Sequence, residues 1–197
     1  VCEMQIDREG QLKRSRFYEG LMKSAARLTY EDVDAIHNER DHSLLREHEP
    51  LLKHIGDLYA VFDALRIDRQ KRGAIDFNTS ESVIEFDHQG QVADVHPAER
   101  TNAHRLIEEC MVKANVATAR FLRRHRIPSL YRVHEPPAEQ RLKNLREFLA
   151  QTGLTLGGGD EPTAQDFSAL METVKQRPDR HFIESIMLRS MMAAEYR

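Results

Sequence analysis

The segment from residue 102 to about residue 126 is the longest periodic stretch of the sequence, and it constrains the fold more than any other feature. Its apolar residues recur at intervals of three and four, which is typical of one long amphipathic helix. These residues are Leu106, Ile107, Cys110, Met111, Ala114, Ala117, Phe121 and Leu122. Thr101 occupies the expected N-cap position, and Pro128 ends the helical pattern. Such a helix needs other elements against its apolar face, so the rest of the chain must supply a core.

Shorter helical and extended patterns surround this helix. Capping residues and apolar periodicity predict further helices from Tyr30 to about His37, from Ser43 to the basic turn before Gly73, from Pro136-Pro137 to Gly153, after the Thr163–Asp166 cap, and from Phe182 to Arg197. Alternation and turn residues predict strands at 1–7, 12–18, 74–77, 83–86, 92–95 and, fully buried, 130–133. Gly10 should take a positive φ in the turn between the first two strands. Strands and helices do not alternate as in βαβ units, so the sequence predicts an α+β, helix-rich fold with short antiparallel hairpins.

Composition excludes several classes of protein. A chain of 197 residues is long enough to bury a core, and no apolar run reaches the ~20 residues of a membrane helix, so no membrane partner is expected. Two cysteines, Cys2 and Cys110, can build neither a disulfide scaffold nor a four-cysteine zinc site, and this usage is typical of the reducing cytoplasm. The net charge of −3 provides no overall basic field for nucleic acid.

One stretch, residues 119–146, departs from that charge balance. It holds eight basic residues against two acidic ones, which is a local charge of +6. The basic residues are Arg120, Arg123, Arg124, Arg126, Arg132, Arg141, Lys143 and Arg146, and the acidic ones are Glu135 and Glu139. These cations form either a surface that contacts phosphates or a solvated helix face, since cations are also favoured at helix C-termini.

The chain contains no catalytic or metal-binding motif of known spacing. The ten histidines never form the two-histidine helix motif of zinc proteases, and Gly157-Gly158-Gly159 lacks the lysine and hydroxyl of a P-loop. Cys110 lies on the apolar stripe of the long helix, which indicates core packing rather than a nucleophile. No metal site made wholly within the chain is therefore predicted.

Two aromatic residues and one acidic pair could instead meet a ligand. Tyr30 begins a helix and Phe77 ends a short strand, and aromatic residues at such junctions either stack on nucleic acid bases or fill the core. Glu108 and Glu109 lie about 100° apart on the long helix, so only one of them can face a given direction. They are either a pair of surface charges or include one carboxylate that reaches the sugar or base edge of a ligand.

Several motifs of the sequence resemble one known family. They are Val1-Cys2-Glu3-Met4, Phe17-Tyr18-Glu19, Ala26-Arg27-Leu28-Thr29-Tyr30, Arg72-Gly73-Ala74-Ile75-Asp76-Phe77 and, above all, the run from Ala103 to Asn115. In this order and spacing they resemble the ribonuclease II/R family over nearly all of the chain. The resemblance implies that residues 1–197 are the central-to-late portion of an RNB-type catalytic domain. It also implies a processive 3′-to-5′ exoribonuclease that hydrolyses RNA to nucleoside monophosphates with magnesium.

The same resemblance implies roles for particular residues. Tyr30 would hold the 3′ end of single-stranded RNA and set the length of the final product, and Phe77 would stack on the terminal bases. Glu109 would lie near the 3′-terminal nucleotide, with Glu108 as the alternative if the register shifts by one. The magnesium-binding aspartates of the family are expected upstream of Val1, and its flanking RNA-binding domains are expected outside the chain. We therefore expect no catalytic residue, no bound magnesium and no nuclease activity in the segment alone.

A second hypothesis keeps the scaffold without the chemistry. The chain would then be a non-catalytic helical module that binds RNA or protein, or a purely structural helical domain. An aspartate cluster encoded upstream of Val1 favours the enzyme, whereas a start codon there favours the module. No feature of the sequence specifies an oligomeric state.

Overall fold

The computed structural model describes residues 1–75 and 82–197. The described residues form two compact units, which are 1–68 with 82–127, and 69–75 with 128–197. Together they contain seven α-helices and three two-stranded antiparallel sheets. The predicted class, α+β and rich in helices with short antiparallel hairpins, is confirmed. None of these helices is long and apolar enough to cross a membrane.

The first unit begins with the predicted hairpin. Strand β1 (Cys2–Ile6) pairs antiparallel with strand β2 (Leu12–Phe17). Gly10 lies in the turn with a φ of +79°, and a Cβ at this position would clash with the carbonyl oxygen of Ala64. Both the backbone conformation and this close approach therefore require glycine at residue 10.

Three helices follow in the chain: α1 (Tyr30–His37), α2 (His42–Glu47) and α3 (Leu52–Lys71). α1 begins as predicted at a capping box, in which Thr29 and Asp32 exchange side-chain-to-backbone hydrogen bonds. The single helix predicted from Ser43 onward is wrong. Pro50 separates α2 from α3 because it has no N–H to donate, and the N-cap of α2 is Asp41.

A second hairpin and the long helix complete the first unit: β3 (Ser82–Phe86), β4 (Val92–Pro97) and α4 (Asn102–Arg124). These three elements confirm the prediction to within a few residues at their ends. The strand predicted at 74–77 is not confirmed, because Ala74 and Ile75 are not in a strand. Phe77 and the residue before it lie outside the described residues.

The buried face of α4 differs from the predicted apolar stripe. Its buried residues are Ala103, Leu106, Glu109, Lys113 and Ala117. Ile107 and Met111, which the stripe places in the core, are exposed. Lys113 can be buried because its Nζ donates hydrogen bonds to the carbonyl oxygen of Gly10 and to Oδ2 of Asp68, each at 2.8 Å. Leu106 joins an apolar cluster with Ile36, Ile55, Tyr59 and Phe62.

The second unit contains three helices and one two-stranded sheet. The helices are α5 (Glu139–Gln151), α6 (Ala164–Val174) and α7 (Arg180–Ser190), and the strands are β5 (Arg132–His134) and β6 (Ala194–Tyr196). Its core includes Leu145, Leu149, Val174, Ile183 and Met187, all fully buried. The capping box of Thr163 with Asp166 starts α6 as predicted.

Two predictions in the second unit are wrong. The last helix ends at Ser190 instead of Arg197, and the residues after it form β6, which pairs antiparallel with β5. The strand predicted as buried at 130–133 begins at Arg132, and Leu130 is 77% exposed. The pairing of β6 with β5, which are distant in sequence, overrides the local preference of residues 194–196 for helix.

Candidate nucleic-acid interface

Tyr30 lies at the N-terminus of α1, where the capping box fixes the first turn. One face of its ring stacks on the imidazole of His104 in α4, with ring centroids 3.9 Å apart and an angle of 24° between the planes. The hydroxyl of Thr101 lies 2.9 Å from Nδ1 of His104 and restrains the imidazole. Tyr30 is still 41% exposed, so the ring is held in place while part of it remains open to a ligand.

Glu108 lies one helical turn after His104, so both residues occupy the same face of α4. Arg100 donates a hydrogen bond from Nε to Oε1 of Glu108 at 3.0 Å, and its Nη2 contacts Oε2. Both side chains remain partly exposed. This two-point contact fixes the orientation of the carboxylate and leaves it accessible.

Glu109, the first choice from the sequence, lies on the buried face of α4 and is 8% exposed. Its neighbour Cys110 packs against the apolar cluster, which confirms the predicted core packing. Burial, with a smaller contribution from the negative charge of Glu109, raises the pKa of the Cys110 thiol. Of the two glutamates, Glu108 is therefore the accessible one, and it lies on the face of α4 that also carries His104, the stacking partner of Tyr30.

The structure brings Tyr30 and Glu108 to one surface through His104, whereas Phe77 lies outside the described residues. Two residues of this surface, His104 and Arg100, are not predicted by the sequence motifs. The spacing of four between His104 and Glu108 places both on one face of α4, but no local signal shows that Tyr30 lies against that face or that Arg100, which precedes the helix, reaches Glu108.

The basic stretch 119–146 is divided between the two units. Arg120 and Arg124 lie on α4 in the first unit, whereas Arg141 and Arg146 lie on α5 in the second. Arg141 donates a hydrogen bond to the carbonyl oxygen of Met191 at 3.0 Å, and Arg146 contacts that of Gly159. These two arginines of α5 therefore bind backbone carbonyl groups within their own unit.

Comparison with known proteins gives the family. A family model described as the RNB domain matches residues 1–197. The chain belongs to the RNB domain family. Ribonuclease R of Vibrio cholerae is 42% identical to this RNB chain over 196 residues, which cover 100% of the chain and 24% of that protein. The chain thus spans about a quarter of the length of the curated relative.

Solved structures agree with the family assignment. RNase R of Mycoplasma genitalium is 26% identical and superposes with a TM-score of 0.92, both in complex with ribose methylated single-stranded RNA and in complex with double-stranded RNA. In each case all of this chain is covered, together with 30% and 35% of the respective RNase R chain. The predicted resemblance to the ribonuclease II/R family is confirmed.

The RNB family uses metal ions, and the described residues of this RNB chain do not fit one. Within 1–75 and 82–197, no three side chains of histidine, cysteine, aspartate or glutamate come together as ligands. The accessible carboxylate of the candidate surface, Glu108, is bound by Arg100. Tyr30, Glu108 and Arg100 present a ring face, a carboxylate and a guanidinium that can bind and orient a ligand.

Proposed function

We propose that this RNB segment is part of a 3′-to-5′ exoribonuclease that hydrolyses RNA to nucleoside monophosphates, and that it holds the 3′ end of single-stranded RNA in the substrate channel. The observation that carries the proposal is the stack of Tyr30 on His104, with Glu108 one turn further along the same helix face and held there by Arg100, which precedes the helix. The relatives support it, because the Mycoplasma genitalium structures are complexes of RNase R with RNA.

Tyr30 would stack with its open surface on a base near the 3′ end. Every base has a π-face, so such stacking tolerates any sequence and is worth ~1–3 kcal/mol per base. His104 lies under the tyrosine ring and limits its rotation, which lowers the entropy that the ring loses when a base binds. A 3′-end site built in this way accepts all four bases.

Glu108 would accept a hydrogen bond from a ribose hydroxyl. An ionised carboxylate is an acceptor only and repels phosphate, so the hydroxyl groups of the terminal ribose are its natural partners in RNA. The 2′-hydroxyl is also the group that distinguishes RNA from DNA. Glu109 remains the alternative that the family motif implies, although its side chain would have to leave the buried face of α4.

Hydrolysis in this proposal depends on magnesium held by aspartates in the longer protein that contains this segment. Such ions, when bound by those aspartates, would supply an activated water and stabilisation of the leaving oxygen. Tyr30 and Glu108 contribute by holding the 3′ end at a fixed depth, which positions the scissile phosphate.

The experiment is digestion of a long, 5′-labelled single-stranded RNA by the full-length protein in the presence of magnesium. We expect stepwise loss of nucleotides from the 3′ end, release of nucleoside monophosphates, and no reaction after chelation of the metal. Cleavage at internal positions, or binding without shortening, contradicts the proposal, and the second of these results favours the non-catalytic binding module.

Two RNA substrates that differ only at the terminal ribose test which of the two glutamates contacts that ribose. Glu108→Gln and Glu109→Gln are each compared on RNA and on the same RNA ending in a 2′-deoxynucleotide. If Glu108 contacts the terminal ribose, Glu108→Gln reduces the preference for the ribose end and Glu109→Gln does not. The reverse result assigns the contact to Glu109.

A further inference from the structure

A basic cleft lies between β2 and the last turns of α4. Its volume is about 400 Å³. The polar side chains that line it are Lys13, Arg14, Ser15, Arg16, Arg120 and Arg124. All of them belong to the first unit, which also carries Tyr30 and Glu108. The net charge of the chain is −3, so this concentration of cations is a local feature.

The four arginines of the cleft have no acidic partner among the described side chains, whereas Lys13 is paired with Asp7 at 2.9 Å. Glu3 lies opposite Arg16 in the register of the hairpin, but its carboxylate accepts a hydrogen bond from the Tyr18 hydroxyl at 3.2 Å. The positive charge of the cleft is therefore not neutralised by the residues around it.

The arginines line the cleft in two pairs, and the strand pair, Arg14 and Arg16, lies on the face of β2 opposite the Phe17 side chain. Arg14 and Arg16 are two residues apart on a strand, and Arg120 and Arg124 are four apart on a helix, so each pair shares one side of its element. The rings of Phe17 and Phe121, with centroids 4.7 Å apart, join the strand to the helix. The like charges of Arg120 and Arg124, four residues apart on the helix, repel each other, and an anion bound beside them reduces that repulsion.

We infer that this cleft binds phosphate groups in the backbone of single-stranded RNA, as a second contact for the strand whose 3′ end lies at Tyr30. Guanidinium groups bind phosphate oxygens in a two-point geometry, and four of them can hold neighbouring phosphates. The rise of an α-helix separates His104 from Arg120 by about 24 Å along α4, so the cleft contacts nucleotides upstream of the 3′ end. The identity of the strand rests on the proposed function, whereas phosphate binding does not.

The test measures RNA binding by the full-length protein in EDTA, with fluorescence anisotropy as the readout, over a range of NaCl concentrations. Each phosphate contact to a single strand contributes ~0.7 to the slope of log K against log salt concentration. The double variant Arg14→Gln with Arg120→Gln is therefore expected to flatten the slope by about 1.4. The matched control is Arg8→Gln with Arg123→Gln, which removes two exposed charges from the same hairpin and helix outside the cleft and should leave the slope unchanged.

A second cleft variant, Arg16→Gln with Arg124→Gln, should flatten the slope as the first does, and circular dichroism checks that each variant is folded. An RNA too short to span about 24 Å along α4 should bind the wild type and both cleft variants equally.

The inference is overturned if both folded cleft variants keep the wild-type slope, which would leave the cleft to another anion such as an acidic protein segment. It is also overturned if the control flattens the slope equally. If the slope does not flatten as expected, the result counts against the cleft alone. If the full-length protein does not shorten RNA from the 3′ end, the result counts against the proposed function alone.

Discussion

At the scale of single residues, the buried pair of Lys113 and Asp68 connects three parts of the first unit. The ammonium group of Lys113 on α4 binds the carboxylate of Asp68 on α3 and the carbonyl oxygen of Gly10 in the β1–β2 turn. The two side chains are only 10% and 12% exposed. Removing two charges from water costs several kcal/mol per ion, and their attraction and hydrogen bonds offset this cost only while both are present.

Replacing Lys113 with methionine should therefore lower the free energy of unfolding by about 3–5 kcal/mol. Urea unfolding of the 197-residue chain measures the change. The control is Lys175→Met, because Lys175 forms an exposed pair with Glu172 and such pairs contribute only about 0–1 kcal/mol. The double variant Lys113→Met with Asp68→Leu should recover part of the loss. Equal unfolding midpoints for Lys113→Met and Lys175→Met would show that the buried pair does not stabilise the unit.

Tyr30 has the clearest functional prediction at this scale. In the full-length protein, Tyr30→Ala should weaken binding of the RNA 3′ end by about 1–3 kcal/mol, or roughly 5- to 150-fold, and should change the length of the final product. Tyr30→Phe keeps the stacking ring and should behave as the wild type in both measurements. If Tyr30→Ala binds RNA with unchanged affinity and stops at the same length, the residue is purely structural.

At the scale of elements, local determinants of backbone conformation decide where helices end. Gly73 follows α3 with a φ of +67°, and a Cβ there would lie 2.7 Å from Cα of Gln165. Gly56 lies inside α3, and a Cβ at that position meets no atom within 4 Å. The same substitution should thus have opposite effects at the two sites.

We expect Gly73→Ala to lower the free energy of unfolding by more than about 1 kcal/mol, because alanine is strained at positive φ and has no space here. Gly56→Ala should raise it by up to about 1 kcal/mol, because alanine is the better helix former. Thermal unfolding of the two variants beside the wild type gives both values. A stabilising Gly73→Ala would mean that the end of α3 adjusts easily.

The β3–β4 hairpin carries a pH-sensitive pair. His96 Nε2 lies 3.1 Å from Oε1 of Glu85, and this hydrogen bond, with smaller contributions from the carbonyl of Pro97 and from Asp94, raises the pKa of His96. Since the raised pKa favours the protonated form in the folded hairpin, the pair stabilises it fully below the ordinary pKa of histidine. This stabilisation is lost as the pH rises through the raised value.

An NMR-monitored pH titration of the His96 ring measures the shift in its pKa. Glu85→Gln should lower the pKa of His96 towards its ordinary value. Asp94→Asn should lower it less, because Asp94 makes the smallest contribution. An unchanged pKa in Glu85→Gln would show that the pair does not persist in solution.

At the scale of the whole molecule, features with local determinants could be predicted from the sequence, and features that depend on distant contacts could not. The capping residues Thr29 and Thr163 and the Gly10 turn identified their elements, because each signal lies within a few residues of its effect. The burial of Lys113 depends on partners far away in the chain, as does the pairing of β6 with β5. The candidate surface divides in the same way, because the motif named Tyr30 while its stacking partner emerged only from the packing of α1 on α4.

A prediction for the whole chain concerns the segment by itself. Incubated with magnesium and 5′-labelled single-stranded RNA, the 197-residue chain should leave the RNA intact, because its described carboxylates do not gather into a metal site. The full-length protein under the same conditions is the positive control. Efficient shortening from the 3′ end by the segment alone would show that the chain holds a complete catalytic centre.

The length of helix α4 also bears on how long an RNA strand would stay bound under the proposed function. α4 is one continuous helix of 23 residues, about 34 Å long, with the partner of Tyr30 near one end and the arginines of the cleft near the other. If the proposed contacts at Tyr30 and at the cleft both form, an RNA that reaches both ends would be a bivalent ligand, and its second contact would form at an effective concentration set by the nucleotides between them. When the 3′ end detached after a cleavage, the phosphates in the cleft would keep the RNA tethered, so the shortened end would rebind before the RNA diffused away. The length of α4 would then set the minimum length of RNA that gains this avidity.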